Sequence, residues 1–259
     1  MKRQELIILT GNTGSGKSLT ASKLAKKGYV VVNGDSITLM VQGGEYGIYD
    51  KAKSEIYHAA ELAIIETALS GGFSVVIDRT NMKISDRKRY IETGKKYEAR
   101  IHSYDWGPGN EKSLTRRISK PNGIPENTWN NVHAFMMNSY EAPTLDEGFD
   151  SRVSGPRDYR FYAFDFDGTI VENKFPEIGA PIEATVLKMR ELWQDLRKIV
   201  IVWTCRSGDY VNQAKDFMLK NNIPFDFINE NPLFEMGSRK IYAHEYIDDR
   251  NASVWYEAK

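Results

Sequence analysis

Short apolar runs alternate with longer amphipathic stretches through the first half of the chain. Continuous runs of four to six apolar residues are typical of strands buried on both faces, and apolar residues recurring every three or four positions indicate helices. The predicted strands are residues 6–9, 29–32, 73–77 and 100–104, and the predicted helices follow residue 16 and cover residues 55–69, 85–97 and 126–138. Strand and helix in alternation predict an α/β fold on a parallel sheet.

The pattern stops at residues 141–158, which are rich in turn formers and charge, and then starts again. Further strands are predicted at residues 160–164, 199–202 and 246–247, with helices near residues 181–196 and 210–221. Two α/β domains are therefore expected, residues 1–150 and residues 158–259, with a linker region at residues 141–158.

Composition sets broad limits on the class of protein. The chain has 259 residues, 35 Lys and Arg, 35 Asp and Glu, and one cysteine. A formal charge of zero predicts that the protein has no extended basic surface for binding a nucleic-acid duplex. Contacts with nucleic acid must therefore be local. The single Cys205 excludes an internal disulfide framework, and we expect it to be a buried thiol. With no apolar run of signal-peptide or membrane length, the expected location is the cytoplasm, of a host cell if the chain is phage-encoded.

A glycine-rich loop follows the first predicted strand and precedes a helix. Its sequence, GNTGSGKS, consists of Gly11, Asn12, Thr13, Gly14, Ser15, Gly16, Lys17 and Ser18. This is the spacing of a phosphate-binding loop, in which backbone amides surround the β-phosphate, the lysine reaches the β and γ oxygens, and the hydroxyl binds Mg²⁺. The expected cofactors are therefore ATP and Mg²⁺; the alternative is a glycine-rich turn with a solvated lysine.

Two acidic residues end the next strand runs. Asp35 follows VVVNG and Asp78 follows SVVI, and the carboxyl ends of parallel strands are where such folds place ligands. Asp35 is the candidate general base for an attacking hydroxyl, and Asp78 a candidate for organising magnesium. Either could instead be a helix cap or a turn residue.

Two groups of cations follow. The basic segment at residues 112–120 is predicted to fold over the nucleotide, with Arg116 and Arg117 as candidates for stabilising the transferring phosphoryl group; a solvated helix face is the alternative. The second group, Lys83, Arg87, Lys88 and Arg89, is expected at the surface.

The second domain carries DFDGT at residues 165–169, followed in order by three more elements. These are Thr204 at a predicted strand end, Lys240, and the acidic pair Asp248 and Asp249. Asp165 is the candidate nucleophile that forms an aspartyl-phosphate, and Asp167 the candidate acid and base. Thr204 and Lys240 would hold phosphoryl oxygens. Asp165, the Asp167 carbonyl, and Asp248 or Asp249 would bind Mg²⁺.

The order of motifs along the chain resembles that of the phage-type polynucleotide kinases with 3′-phosphatase activity. The motifs that carry this resemblance are the glycine loop, Asp35, the arginine-rich segment, DFDGT, TCR at residues 204–206 and IDDRN at residues 247–251. That family joins a P-loop kinase to a haloacid-dehalogenase-like phosphatase. The resemblance implies that ATP phosphorylates a 5′-hydroxyl end, that a 3′-phosphate is removed, and that Arg206 contacts the substrate phosphate. The chain departs from the family at Thr38, where an arginine is expected, and at Pro121, which leaves Arg117 as the better match for the lid arginine.

The spacing of the phosphatase motifs leaves little room for a large cap, which favours an open site that admits a polymer end. We therefore expect a bifunctional enzyme that acts on DNA or RNA ends, with no membrane partner and with self-association left open. One alternative is a kinase and phosphatase pair acting on nucleosides or other small metabolites. Another is an ATP-gated binding protein.

Overall fold

The computed structural model describes residues 3–44, 50–156, 158–231 and 240–251. The chain divides into two compact units, Met1–Arg157 and Asp158–Lys259. Each is an α/β unit with its own parallel sheet and its own hydrophobic core. Within the described ranges, no helix combines the length and apolar character needed to cross a bilayer.

The first unit is built on a five-stranded parallel sheet with the order β2-β3-β1-β4-β5. Residues 6–9 of the central strand are almost fully buried because helices cover both faces of the sheet. The strands are β1 Glu5–Thr10, β2 Val30–Asn33, β3 Val75–Asp78, β4 Arg100–Asp105 and β5 Ser151–Ser154.

Helices connect these parallel strands. They are α1 Lys17–Lys26, α2 Gly34–Val41, α3 Ser54–Ser70, α4 Ile84–Lys96, α5 Glu111–Ile118 and α6 Glu126–Asn138, with single 3₁₀ turns at Lys51–Lys53 and Leu145–Glu147. The core includes Leu6, Ile8, Val75, Ile77 and Tyr90. The carboxyl ends of β1, β2 and β3 face one edge of the sheet, where loops carry polar residues.

In the first unit, β5 and α2 differ from the sequence predictions. Residues 151–154, inside the predicted linker, form edge strand β5, which pairs only with β4. An edge strand with three exposed residues needs no apolar run, so its sequence carries no strand signal. Helix α2 was not predicted because it begins at Gly34 directly after β2; the Asn33 side chain caps it by accepting from the Ser36 N–H at 2.8 Å.

The expectation that Arg87 lies at the surface is wrong. Its side chain is fully buried, donates to both carboxylate oxygens of Glu147 at 2.7 and 2.8 Å, and also donates to the carbonyls of Asn81 and Glu141 at 3.0 Å. A guanidinium can be buried when a carboxylate and carbonyls satisfy its donors. Arg87 therefore anchors the segment that leads to β5 against α4.

The second unit has a four-stranded parallel sheet with the order β8-β7-β6-β9. Its elements are β6 Arg160–Phe164, α7 Glu183–Gln194, β7 Lys198–Val202, α8 Asp209–Lys220, β8 Phe227–Ile228 and β9 Glu245–Ile247. Residues 165–182, which link β6 to α7, carry only isolated bridges, Asp167 with Val171 and Val171 with Pro181. No cap domain is inserted within this fully described connection.

Candidate functional site

The glycine loop joins β1 to α1 along the edge of the first sheet. Gly11, Gly14 and Gly16 have positive φ angles of 148°, 69° and 102°. A Cβ on Gly14 would lie 2.0 Å from the carbonyl oxygen of Ser113, so a side chain at this position would collide with α5. The loop conformation and its close approach to α5 therefore both require glycine.

Lys17 lies in the loop's concavity, where its side chain is buried. Its Nζ donates to the Asn12 carbonyl at 2.7 Å and to the Ser15 hydroxyl at 3.2 Å. Burial lowers the pKa of Lys17 to about 8, although the nearby Asp78 and Asp35 carboxylates oppose this shift. The ammonium thus already binds loop oxygens at the position where a phosphate-binding loop holds anionic oxygens.

Ser18 lies in the first turn of α1, and its side chain is exposed. Gly16 caps this helix without any side-chain hydrogen bond to the first amides. A helix begun in this way presents backbone N–H groups and a partial positive charge to an anion. The hydroxyl of Ser18 remains available to a cation held beside that anion.

Asn12 holds the glycine loop to the rest of the first unit, a role that sequence reasoning did not assign to it. Its Nδ2 donates to the carbonyls of Pro108 at 2.7 Å and His133 at 2.9 Å, and its Oδ1 accepts from the Thr13 N–H at 2.7 Å. The buried His133 ring nitrogen Nε2 lies 2.9 Å from the Ser113 hydroxyl, and burial lowers the His133 pKa. Asn12 and His133 therefore link the loop to α5 and α6.

The strand-end carboxylates lie beside the loop. Asp78 is buried, and its Oδ2 accepts from the Asn33 side chain at 2.9 Å. Asp35 is exposed in the first turn of α2. Both carboxylates act electrostatically on Lys17. The structure therefore places Asp35 and Asp78 near the loop, and Asn33 is a third polar residue that the sequence analysis missed.

Of the two candidate arginines on α5, Arg117 lies nearer to the glycine loop. Its guanidinium carbon is 3.7 Å from the centroid of the Trp129 ring, and its Cβ is close to Gly14. Arg116 turns back along its own helix, donating from Nε to the Lys112 carbonyl at 3.2 Å. The aromatic contact holds the Arg117 side chain against α6.

In the second unit, Asp165, Asp248 and Asp249 bring their carboxylates together at the ends of β6 and β9. One oxygen from each lies within 4.8 Å of the others. Burial, followed by the charges of Asp248, Asp249 and Asp167, raises the pKa of Asp165 to about 7, and the Phe166 N–H partly opposes this. Clustered hard oxygen donors are the ligand set that Mg²⁺ prefers.

Close packing fixes the Asp249 carboxylate beside the turn after β6. A Cβ on Gly168 would lie 2.5 Å from Asp249 Oδ2, and the Asp249 N–H donates to the Thr169 hydroxyl at 2.9 Å. Gly168 also has a positive φ of 96°. The glycine and the threonine of DFDGT therefore position Asp249, one of the metal-binding candidates.

Asp167 lies in cationic surroundings, unlike Asp165. The guanidinium of Arg206 donates to both of its oxygens, from Nε at 2.8 Å and from Nη2 at 2.7 Å. Arg206 also donates to the carbonyls of Pro176 at 3.0 Å and Glu177 at 2.8 Å, and its side chain is 1% exposed. The resemblance implies a contact between Arg206 and the substrate phosphate, whereas here the guanidinium binds Asp167 and the segment after residue 175.

Thr204 and Cys205 follow β7. Asn229 holds the Thr204 backbone, accepting from its N–H at 2.8 Å and donating to its carbonyl at 3.0 Å. The Thr204 hydroxyl accepts from the Arg206 N–H at 3.1 Å. The expectation that Cys205 is buried is wrong: the thiol is exposed because the chain has left the sheet at this point.

Two clefts share the carboxylates of Asp165 and Asp248. One, of about 360 Å³, is lined by Asp167, Thr204 and Arg206, and the other, of about 560 Å³, is lined by Trp203 and Lys240. Lys240 Nζ lies 4.5 Å from the centroid of the Tyr246 ring. The sequence-predicted residues of the second unit therefore converge on one region, with Asp165 between the two clefts.

A family model described as "AAA domain" matches residues 6–143. The chain belongs to this family. The matched residues of the AAA domain run from β1 past the end of α6, so they include the glycine loop, Asp35, Asp78 and Arg117.

A bifunctional polynucleotide phosphatase/kinase of Schizosaccharomyces pombe is 30% identical over 154 residues, which are 57% of this chain and 32% of that protein. The chain thus spans about a third of the length of this relative. Among solved structures, that of the Pnkp1/Rnl/Hen1 RNA repair complex has a chain with 19% identity and a TM-score of 0.45, covering 88% of this chain and 79% of that one. A fungal RNA kinase has 14% identity and a TM-score of 0.43, covering 85% of this chain and 50% of that one.

Proposed function

We propose that the protein is a bifunctional enzyme that repairs nucleic-acid ends. Its first unit would transfer the γ-phosphate of ATP to a 5′-hydroxyl, and its second would remove a 3′-phosphate. The observation that carries the proposal is that one chain holds a buried lysine in a phosphate-binding loop beside two strand-end carboxylates and, separately, a cluster of carboxylates around Asp165. The polynucleotide phosphatase/kinase relative supports nucleic-acid ends as the substrate class.

The first unit suits a nucleotide triphosphate with Mg²⁺. The first turn of α1, where no side chain caps the helix, and the glycines of the loop provide backbone donors for phosphate oxygens, and Lys17 adds a positive charge. Ser18 and Asp78 are the residues that would hold Mg²⁺, which would neutralise the phosphate charge. Arg117 would leave Trp129 to contact the transferring phosphoryl group.

Asp35 is the proposed base of the kinase reaction. It would accept the proton of the 5′-hydroxyl while that oxygen bonds to the γ-phosphorus and the bond to the β–γ bridging oxygen breaks, releasing ADP. Its exposed position in the first turn of α2 leaves it open to an incoming polymer end. General-base assistance of this type contributes about 10²- to 10⁴-fold in rate.

The second unit suits Mg²⁺ and a phosphomonoester. Asp165, Asp248 and Asp249 would hold the ion, which would supply the positive charge that lets an anionic phosphate approach these carboxylates. Asp165 would attack the phosphorus, the bond to the 3′ oxygen would break, and Asp167 would donate a proton to that leaving oxygen. Water deprotonated by Asp167 would then hydrolyse the aspartyl-phosphate and release inorganic phosphate.

Arg206 sets a condition on this mechanism. Because it donates to both oxygens of Asp167, the proton that Asp167 transfers to the leaving oxygen would be carried at a remaining lone pair, on the side of the carboxyl group that does not face the guanidinium. Arg206 would thereby orient Asp167, while Thr204 and Lys240 hold the phosphoryl oxygens. The uninterrupted connection between β6 and α7 supports a haloacid-dehalogenase-like phosphatase without a large cap.

The decisive experiment follows both ends of one oligonucleotide that carries a 5′-hydroxyl and a 3′-phosphate, incubated with ATP and Mg²⁺. The expected result is label transfer from γ-labelled ATP to the 5′ end and release of inorganic phosphate from the 3′ end. Free nucleosides and nucleoside 3′-phosphates are tested alongside. Turnover of these small molecules as efficient as that of the oligonucleotide would instead support a metabolite kinase and phosphatase.

A further inference from the structure

An aromatic wall borders the smaller cleft of the second unit, the one of about 360 Å³. Phe175, in the connection between β6 and α7, lines this cleft together with Asp165 and Asp167, and it is 57% exposed. Its ring packs beside that of Tyr210 in the first turn of α8, with centroids 5.4 Å apart and planes inclined by 56°. Tyr210 is itself 41% exposed. Two exposed rings from distant parts of the chain therefore meet beside the proposed phosphatase carboxylates.

Arg206 holds the Phe175 ring in place. Its guanidinium carbon lies 5.2 Å from the centroid of this ring and 5.2 Å from that of the Phe166 ring. The same guanidinium donates to the carbonyls of the two residues after Phe175, at 3.0 and 2.8 Å, and to the Asp167 carboxylate. Contacts between a guanidinium and aromatic rings favour a defined arrangement of the two groups. The ring is thus preorganised, so a ligand that packs on it loses little binding free energy in ordering it.

The rest of the cleft differs in character from this ring. Among the described residues that line it, Phe175 is the one aromatic side chain, and the others are four aspartates, two arginines, Asn173, Thr204 and Cys205. A phosphate bound through Mg²⁺ at the aspartates leaves the ring as the apolar surface for the remainder of the substrate. The volume is near the lower end of the range of about 300–1,000 Å³ for small-ligand sites, which suits one nucleotide-sized group. A nucleobase is uncharged and has a π-face that stacks on aromatic side chains.

We propose that Phe175, held by Tyr210 and Arg206, stacks on the base of the nucleotide that carries the 3′-phosphate. This assignment rests on the proposed function and deepens it, because it makes a base-bearing phosphomonoester the substrate class of the second unit. The base and the 3′-phosphate belong to one ribose, so stacking at Phe175 keeps the phosphate beside Asp165. A sugar phosphate without a base loses this contact.

The test compares two short oligonucleotides that carry a 3′-phosphate and a 5′ fluorophore. They differ only in the last nucleotide, which bears adenine in one and is abasic in the other. Binding is measured by fluorescence anisotropy with Mg²⁺ in the full chain carrying Asp165→Asn, in which the proposed acyl-phosphate cannot form and the ligand stays intact. Base–aromatic stacking predicts about tenfold tighter binding of the adenine oligonucleotide. In the chain that retains Asp165, the same preference should appear in the KM for phosphate release.

Cys205 provides a second readout that is local to this cleft. It is the single cysteine of the chain, its thiol is exposed, and it lines the cleft with Phe175. Its alkylation by iodoacetamide is followed by mass spectrometry of the intact Asp165→Asn chain. A ligand in the cleft should slow this alkylation, and the adenine oligonucleotide should do so at about a tenth of the concentration that the abasic one needs. An oligonucleotide bound only to the first unit would leave the rate unchanged.

Further variants, made in the same Asp165→Asn chain, separate stacking from a general loss of structure. Phe175→Leu keeps an apolar side chain without a ring and should reduce the preference to nearly one, whereas Phe175→Trp should retain it. Tyr210→Leu removes the neighbouring ring and should reduce the preference in part, and Tyr210→Phe should retain it. The matched control is Phe73→Leu in the first unit, at a phenylalanine of 56% exposure, which should keep the full preference. Because the preference is a ratio of affinities measured on one variant, a loss that affects both ligands alike cancels.

The binding measurements decide the assignment even if no phosphate is released. Equal affinity of the Asp165→Asn chain for the two oligonucleotides, or a preference that survives Phe175→Leu, would overturn the stacking role. If Phe175→Leu does not fold, an unchanged preference in Tyr210→Leu has the same consequence. A preference without protection of Cys205 would also overturn it, because the base would then lie elsewhere. If the preference depends on Phe175 but the chain with Asp165 releases no phosphate, the base site stands and the phosphatase proposal fails.

Discussion

Removing the charge of Asp165 should stabilise the metal-free protein. One oxygen of its carboxylate lies within 4.8 Å of oxygens from Asp248 and Asp249, and burial together with those charges raises its pKa from the ordinary value of 3.8 to about 7. The folded state therefore disfavours the ionised form. Asp165→Asn keeps the shape of the side chain and removes the repulsion, so the variant should unfold at a higher temperature than the wild type when Mg²⁺ is chelated.

The pKa shift gives the size and the pH window of this effect. A rise of roughly three units at about 1.4 kcal/mol each sets an upper limit of roughly 4 kcal/mol, and screening at a half-buried carboxylate reduces this to about 1–2 kcal/mol. The unfolded chain releases the Asp165 proton near pH 4 and the folded chain near pH 7. The loss of wild-type folding stability caused by the Asp165 charge therefore grows between these pH values and is complete above pH 7. At pH 5 it should be about a third of its full size.

The assay is thermal unfolding of the full chain in a chelator at pH 8 and pH 5. For a unit of about 100 residues, 1 kcal/mol corresponds to about 4–8 °C in Tm, so Asp165→Asn should melt at least about 4 °C higher at pH 8 and gain much less at pH 5. The matched control is Asp216→Asn, at an exposed position on α8, which should leave Tm nearly unchanged. An equal gain at both pH values, or a lower Tm for Asp165→Asn at pH 8, would refute the electrostatic reasoning.

Further outcomes follow for the proposed activities. Lys17→Ala and Asp35→Asn should each abolish 5′ phosphorylation while 3′ dephosphorylation continues, and folded variants that lost both activities would contradict independent sites. Asp165→Asn should abolish phosphate release because an amide cannot form the acyl-phosphate, and wild type should gain a Mg²⁺-dependent beryllofluoride adduct at Asp165, located by peptide mapping. Tyr246→Leu, which removes the ring 4.5 Å from Lys240 Nζ, should raise the phosphatase KM more than Tyr246→Phe does. The salt dependence of oligonucleotide affinity should correspond to about two or three phosphates, at roughly 0.7 counterions each on a single strand; a much steeper slope would indicate an extended groove.

The sequence predicted the central elements of both sheets because their residues form continuous apolar runs. β1 and β6 are buried on both faces, and a run such as residues 6–9 has few alternatives. The edge strand β5 could not be found in this way, since three of its four residues are exposed and its partner comes from a distant part of the chain. Helix α2 was hidden because it follows β2 without a connecting loop.

The sequence singled out candidate site residues that belong to motifs at strand ends. It did not single out residues whose structural role depends on contacts with distant parts of the chain. The motif places Asn12 in the glycine loop, but the contacts by which Asn12, Asn33 and His133 hold the site carry no sequence signal, because their partners lie in other elements of the first unit. Arg87 was expected at the surface, yet it is fixed by Glu147, which is distant along the chain. Glu61 fixes Arg79 in the same way. A charged side chain is buried or exposed according to whether the fold brings an oppositely charged partner to it, and the local sequence pattern does not predict this.

The two aspartates of DFDGT carry the same carboxylate group but lie in different electrostatic surroundings. Asp165 and Asp167 are two residues apart, yet Asp165 faces two further carboxylates, and Asp167 faces a guanidinium that is itself held by two carbonyls. A carboxylate among carboxylates is suited to sharing a cation and to attacking phosphorus once that cation is bound, and one beside a guanidinium is oriented for proton transfer. Because Arg206 also binds the segment after residue 175, any movement of that segment on substrate entry would be transmitted to Asp167. The contacts of Arg206 therefore link the geometry of Asp167, the proposed acid and base, to the segment beside the cleft that is proposed to receive the substrate.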